Sequence, residues 1–158
     1  MNVLLQTAGY LGLSGPVGIL LGLGGIFILT GLLLWWLNRR PGYCYECWEK
    51  GKFTLRPTAG VRCYCQHPIG PWTPSHFFHG GFFYAVARCA FAKDWDTWMV
   101  ILAVLAFEAL WEIVENTKLV IMAFHKANHH SYWGDSVANS IGDMLACLLG
   151  ACALALFI

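Results

Sequence analysis

The sequence has 158 residues, of which 58% are hydrophobic and only 12% charged, with a net charge of +1 and a mean hydropathy of +0.55. Soluble domains carry about 25% charged residues, so this composition excludes a conventional water-facing surface. The near-zero charge excludes a broad polyanion-binding or nucleic-acid-binding face.

The first element is the apolar run "LSGPVGILLGLGGIFILTGLLLWWL", residues 13–37. It is long enough to cross roughly 30 Å of hydrocarbon. No basic residues precede it and it exceeds an h-region of about 7–15 residues, so it reads as a retained span rather than a signal peptide. Gly15, Gly18, Gly22 and Gly25 form a small-residue stripe, including the GxxxG pair Gly18 and Gly22, suited to close packing against another helix, a second copy or a membrane-protein partner.

Three further apolar segments follow, at 76–92, 98–116 and 136–158, separated by a long connection (38–75), a tight turn at "KDWD" (93–96) and a shorter connection (117–135). The pattern predicts an all-α polytopic membrane protein: one domain, four transmembrane helices and one long cysteine-containing loop, with no internal repeat. Arg39, Arg40, Lys50, Lys52, Arg56 and Arg62 lie in the long connection, and Lys118 and Lys126 in the shorter one. The positive-inside rule therefore places both connections in the cytoplasm and both termini outside.

Five of the nine carboxylates fall in or beside the last two spans. Glu108, Glu112 and Glu115 are spaced i, i+4, i+7 and share one helical face, and Asp135, Asn139 and Asp143 are spaced i, i+4, i+8. His76 and His79 are i, i+3 neighbours at the start of the second span. In the predicted topology all of these occupy the cytoplasmic half of the bilayer and can converge. A charged residue at mid-span costs about 2.5–3.5 kcal/mol on insertion scales, and Arg88, the one basic residue within a span, belongs near the opposite face. Protonation or a bound divalent cation must offset the charge. Carboxylates with imidazoles suit zinc, iron or manganese. The bland alternatives are a structural polar network, with Asp135 only a helix N-cap and Asn139, Ser136 and Ser140 interhelical hydrogen-bonding groups, or a proton or ion path.

Of seven cysteines, Cys89, Cys147 and Cys152 lie in spans and read as small packing residues. Cys44, Cys47, Cys63 and Cys65 form "CYEC" and "CYC", similar to the halves of a zinc ribbon though tighter in the second half. Structural zinc, disulfides and free thiols all stay open there, a reducing cytoplasm weighing against disulfides.

Three motifs in order, "WTPSHFFHGGFFY", "EALWEIVEN" and "GDSVANSIGDMLACLLG", together resemble the uncharacterised bacterial inner-membrane proteins of domain of unknown function 2585, over roughly residues 35–158. Gln66, His67, Ser75, His76, His79 and Gly80 match the family's Gln-His pair and S-H-x-x-H-G pattern. Glu108, Trp111, Glu112, Glu115 and Asn116 match its third-helix motif, and Gly134, Asp135, Ser136, Asn139, Ser140, Gly142 and Asp143 its fourth. Cys63 and Cys65 depart from the family pattern, as does the His-rich stretch with His125, His129 and His130. A looser likeness extends to the VanZ-like membrane proteins. The resemblance implies no established activity.

Together these readings predict an inward-facing pocket near the cytoplasmic surface. Its expected metal ligands are His76, His79, Glu108, Glu112, Asp135 and Asp143, with Glu112 and Glu115 as acid–base groups (Glu115 the general base) and Asn139 an orienting group. The expected chemistry is metal-assisted hydrolysis or transfer on a membrane-proximal substrate. The alternative is a non-enzymatic membrane subunit or scaffold whose polar cluster is structural and whose cysteine loop docks a partner.

Overall fold

The computed structural model describes residues 16–37, 68–70, 72–126 and 135–158. Within them the architecture is helical: α1 (Pro16–Leu37), α2 (Thr73–Val86), α3 (Thr97–Glu115), α4 (Lys118–Lys126) and α5 (Val137–Ala155). The four apolar segments of the sequence correspond to α1, α2 with its extension, α3 and α5. By length and composition, α3 and α5 are long and apolar enough to cross a membrane, and α1 holds a shorter apolar stretch, Gly18–Leu34.

Local chemistry sets the helix ends. Pro74 occupies the first turn of α2, where a missing N–H costs nothing, and the Ser75 hydroxyl donates to the Trp72 carbonyl at 2.6 Å. At its far end α2 runs on into a π-helical turn, Ala87–Phe91. The Arg88 guanidinium donates to the carbonyls of Ala92, which also accepts the Trp95 N–H, and of Trp95, tying the π-helical turn to the residues that follow it. The chain then reverses through the predicted turn at 93–96 and enters α3.

Two local expectations are corrected. The helix N-cap before α5 is Ser136, not Asp135: Ser136 is extended (φ −71°, ψ 158°) and its side chain accepts from the Asn139 N–H at 3.1 Å. Asp135 instead donates its own N–H to Asn116 Oδ1 at 2.7 Å. The connection 117–135 is not all loop either, because it contains the nine-residue α4, with Leu119 79% exposed.

The broadest helix contact among the described residues joins α2 to α5. Thr73 meets Asp143, Gly80 meets Cys147, and Tyr84 packs in one buried cluster with Ala151, so these two helices run parallel. His76 meets Glu108 while Tyr84 clusters with Val100, so α3 runs antiparallel to α2. Gly22 of α1 lies against Leu102 of α3, and Gly31 approaches Ile141 of α5. The core divides in two: Tyr84, Ala92, Val100, Val104, Cys147 and Ala151 at the end near the 93–96 turn, and Leu105, Ala109 and Met144 toward α1.

The α2–α5 contact needs glycine. A Cβ on Gly80 would overlap the Cys147 carbonyl, and one on Gly150 would overlap the Phe77 carbonyl. Such small-residue contacts are how helices approach closely where no hydrophobic effect drives them together. Of the predicted stripe on the first span, Gly18 is buried and Gly22 packs on Leu102, but Gly25, like Gly24 beside it, faces open space; Gly15 lies outside the described residues. Large apolar side chains crowd the outside instead, with Leu20, Leu21, Phe78 and Phe82 each more than 60% exposed.

Candidate functional site

Four buried ionisable side chains converge where α2, α3 and α5 meet. His76 comes from the first turn of α2, Glu108 and Glu112 from successive turns of α3, and Asp143 from the second turn of α5; none is more than 7% exposed. The i, i+4 spacing puts both glutamates on one face of α3, and that face looks at His76 because α2 and α3 are antiparallel.

His76 Nδ1 is hydrogen-bonded to Glu108 Oε1. The same nitrogen lies 3.8 Å from Glu112 Oε1, and the other ring nitrogen, Nε2, lies 3.8 Å from Asp143 Oδ2. Neither oxygen of Glu112 makes a hydrogen bond of acceptable geometry, although the Ser140 hydroxyl lies alongside. The like charges of Asp143 and Asp135 also bear on Glu112. Fully ionised, three carboxylates and one imidazolium would sum to −2 in a buried volume. A buried charge requires a partner or a proton.

One ligand atom each from His76, Glu108 and Glu112 fall within 4.8 Å of one another, a spacing from which three donors can share one metal ion. A shell of neutral polar groups surrounds them. Thr73 Oγ1 accepts from the Gly70 N–H at 2.9 Å and donates to Asp143 Oδ1 at 2.5 Å. Asn116, at the end of α3, donates its side-chain amide to the Glu112 carbonyl at 2.9 Å and to Ser140 Oγ at 3.4 Å, while its Oδ1 receives the Asp135 N–H.

The structure therefore brings together His76, Glu108, Glu112 and Asp143 of the predicted residues. His79 stands apart on the exposed side of α2, its ring edge-on to His76 with centroids 5.6 Å apart and tilted against Phe83. Residues three apart on a helix diverge by about 60° around its axis, enough to carry the second imidazole off the buried face. Glu115 is half-buried near the end of α3, Asp135 half-buried before α5, and Asn139 buried beyond its Ser136 cap; none belongs to the three-donor group. Cys44, Cys47, Cys63 and Cys65 lie outside the described residues, as do Gln66, His67, His129 and His130. Of the cysteines read as packing residues, Cys147 is buried beside Glu108, Cys152 is half-buried and Cys89 is exposed.

Thr73 carries no role in the sequence reading. Its signal was its place three residues before His76, where a hydroxyl at the head of α2 lies level with the head of the parallel α5. Only that pairing, which one sequence does not disclose, turns it toward Asp143.

A family model described as a protein of unknown function (DUF2585) matches residues 34–157. The chain is 32% identical over 130 residues to a UPF0314 protein of Paracoccus denitrificans (strain Pd 1222), covering 79% of this chain and 63% of that protein. It is 33% identical over 135 residues to a UPF0314 protein of Brucella anthropi, covering 82% and 66%. To UPF0314 protein R03235 of Rhizobium meliloti (strain 1021) it is 38% identical over 87 residues, covering 54% and 43%. The chain thus spans less than two thirds of the length of each of these relatives. No solved structure matches it.

Proposed function

The chain belongs to the DUF2585 family of proteins of unknown function, and from the geometry of its buried site we propose that it is an integral membrane protein holding a divalent metal ion between His76, Glu108 and Glu112. One observation carries this reading. Glu112 is 1% exposed, and neither of its carboxylate oxygens makes a hydrogen bond of good geometry, the Ser140 hydroxyl lying alongside, while Oε1 lies 3.8 Å from His76 Nδ1. A carboxylate in that position is stabilised by a cation that its neighbours share. Two carboxylates and an imidazole form a hard-to-borderline set suited to zinc, iron or manganese.

The helix directions support the four-span arrangement. Parallel α2 and α5, with α3 antiparallel to them, bring the polar cluster together with the start of α2, the end of α3 and the start of α5, the helix ends that the connections at 38–75 and 117–135 adjoin in the sequence. The excess of Lys and Arg in those connections assigns those ends to the cytoplasm of a bacterial inner membrane. The outward Leu20, Leu21, Phe78 and Phe82 form the lipid-facing surface of this arrangement.

In the catalytic form of the reading, His76, Glu108 and Glu112 would hold the ion, whose chemistry when bound would be to lower the pKa of a water for hydrolysis or transfer on a membrane-proximal substrate. Glu115, one turn beyond Glu112 on α3 and less buried, would be the group to take up the proton, and Asn139 would orient the reacting group. The second reading is a non-enzymatic subunit, supported by Gly24 and Gly25, which leave part of α1 open to another helix.

The test is elemental analysis of detergent-purified protein beside Glu112→Gln and Cys44→Ala variants. Metal lost with Glu112→Gln supports the buried site. Metal lost only with Cys44→Ala confines it to the cysteine segment. Folded, unstripped protein without metal leaves the subunit reading standing.

A further inference from the structure

Asp143 has a carboxylate held by a hydroxyl from outside the cluster. Thr73 Oγ1 donates to its Oδ1 and is itself fixed by the Gly70 N–H, while Oδ2 faces His76 Nε2 at 3.8 Å. The segment before Thr73 is pinned to α5 a second time, because Gly142 lies so close to the Pro68 carbonyl that a Cβ there would overlap it. Two independent contacts, from Pro68 and Thr73, thus meet α5 at the adjacent residues Gly142 and Asp143.

His76 meanwhile divides its nitrogens between two walls. Nδ1 points to Glu108 and Glu112 on α3, and Nε2 to Asp143 on α5. A histidine that binds metal through one nitrogen commonly donates its other N–H to a carboxylate, which fixes the ring and raises its basicity. Here Nδ1 is the nitrogen near Glu108 and Glu112, and Nε2 faces Asp143 at 3.8 Å, a charge contact rather than a hydrogen bond.

We propose that Thr73 and Asp143 are the positioning pair of the site: Thr73 anchors Asp143, Asp143 orients His76 through Nε2, and Nδ1 is thereby presented to Glu108, Glu112 and the ion. Asp143 is then not a ligand. The role in metal binding rests on the reading above; the orientation of the ring does not.

The experiment compares wild-type protein with Thr73→Val and Thr73→Ser by two readouts. The first is the side-chain nitrogen NMR signal of His76 in metal-stripped protein, identified by its loss in His76→Asn. The second is zinc affinity and stoichiometry. Thr73→Val is expected to shift the His76 nitrogen signals and to weaken zinc binding about 10–100-fold with stoichiometry unchanged, the usual effect of losing such a partner. Thr73→Ser, which keeps the hydroxyl, is expected to match wild type in both. Unchanged His76 signals in Thr73→Val overturn the positioning role whatever the protein binds. Shifted signals in a wild-type protein that takes no zinc overturn the metal reading and leave the ring orientation standing. Zinc coupled to Nε2 of His76 overturns the assignment of Asp143.

Discussion

Gly80 and Cys147 meet backbone to backbone: a single methyl group on Gly80 would occupy the space of the Cys147 carbonyl. The obstacle is main chain, so no rotamer change can relieve it. Overpacking costs about 1–3 kcal/mol where side chains can yield. Gly80→Ala is therefore expected to lie at or above the top of that range, read as a lowered unfolding midpoint in detergent. A midpoint equal to wild type would mean that α2 and α5 sit farther apart than described.

Gly24 is the contrasting case, with no atom within 4 Å of a built Cβ. Replacing a helical glycine by alanine without a clash stabilises by roughly 0.5–1 kcal/mol. Gly24→Ala should leave the fold unchanged or slightly more stable. In the subunit reading the same change weakens association, so its particle mass in detergent separates the two readings.

Asn116 joins the end of α3 to the start of α5 through two hydrogen bonds, to Ser140 Oγ and from the Asp135 N–H, and makes a third to the Glu112 carbonyl of its own helix. Leaving buried polar groups without partners costs about 1–3 kcal/mol. Asn116→Ala should destabilise by that order and speed hydrogen exchange at the Asp135 amide, which loses its acceptor. Equal exchange in both proteins would show that Asp135 is protected by something else.

Zinc at about 100 times its Kd should stabilise wild-type protein by about 2.7 kcal/mol. Glu112→Gln keeps the shape of the side chain and removes one of three crowded carboxylates. It is expected to match or exceed metal-free wild type in stability and to gain nothing from zinc. Equal stabilisation of both proteins would place the ion elsewhere.

The topology is checked with single cysteines at Asp94 and Lys118 in a background without the natural ones. Lys118 and Asp94 are exposed and belong to opposite ends of α3. An impermeant thiol reagent applied to intact cells should label the residue-94 variant and spare the residue-118 variant. The reverse pattern would invert the bundle in the membrane.

The helices were legible because apolar runs and the "KDWD" break are written in composition alone. The cluster was legible in part. Glu108 and Glu112 share a face by helical spacing, and an up-and-down order brings His76 and Asp143 level with them. His79, expected beside His76, lies on the exposed side of α2, because an i, i+3 pair straddles the edge of a buried face, and which member turns inward depends on where Gly80 lets α5 approach. Thr73 and Asn116 were hidden for a related reason: a short polar side chain can serve its own helix end or a neighbouring helix, and only the neighbour's register decides. Ser136 and Asp135 are both good caps side by side, so sequence could not choose between them. The contribution of the cysteine segment lies outside the described residues.

The glycine contacts between α2 and α5 also act as a ruler. His76 and Asp143 hang from two backbones already in touch, so the gap between them cannot be widened by repacking side chains. Glu108 and Glu112 hang from α3, which meets α2 without a backbone-to-backbone contact of this kind among the described glycines. An ion of larger radius would have to be accommodated by that third wall alone. With a cation held as proposed, two sides of the site would act as a fixed jaw and the third as the adjustable one, so discrimination between cations by size would rest on the placement of α3.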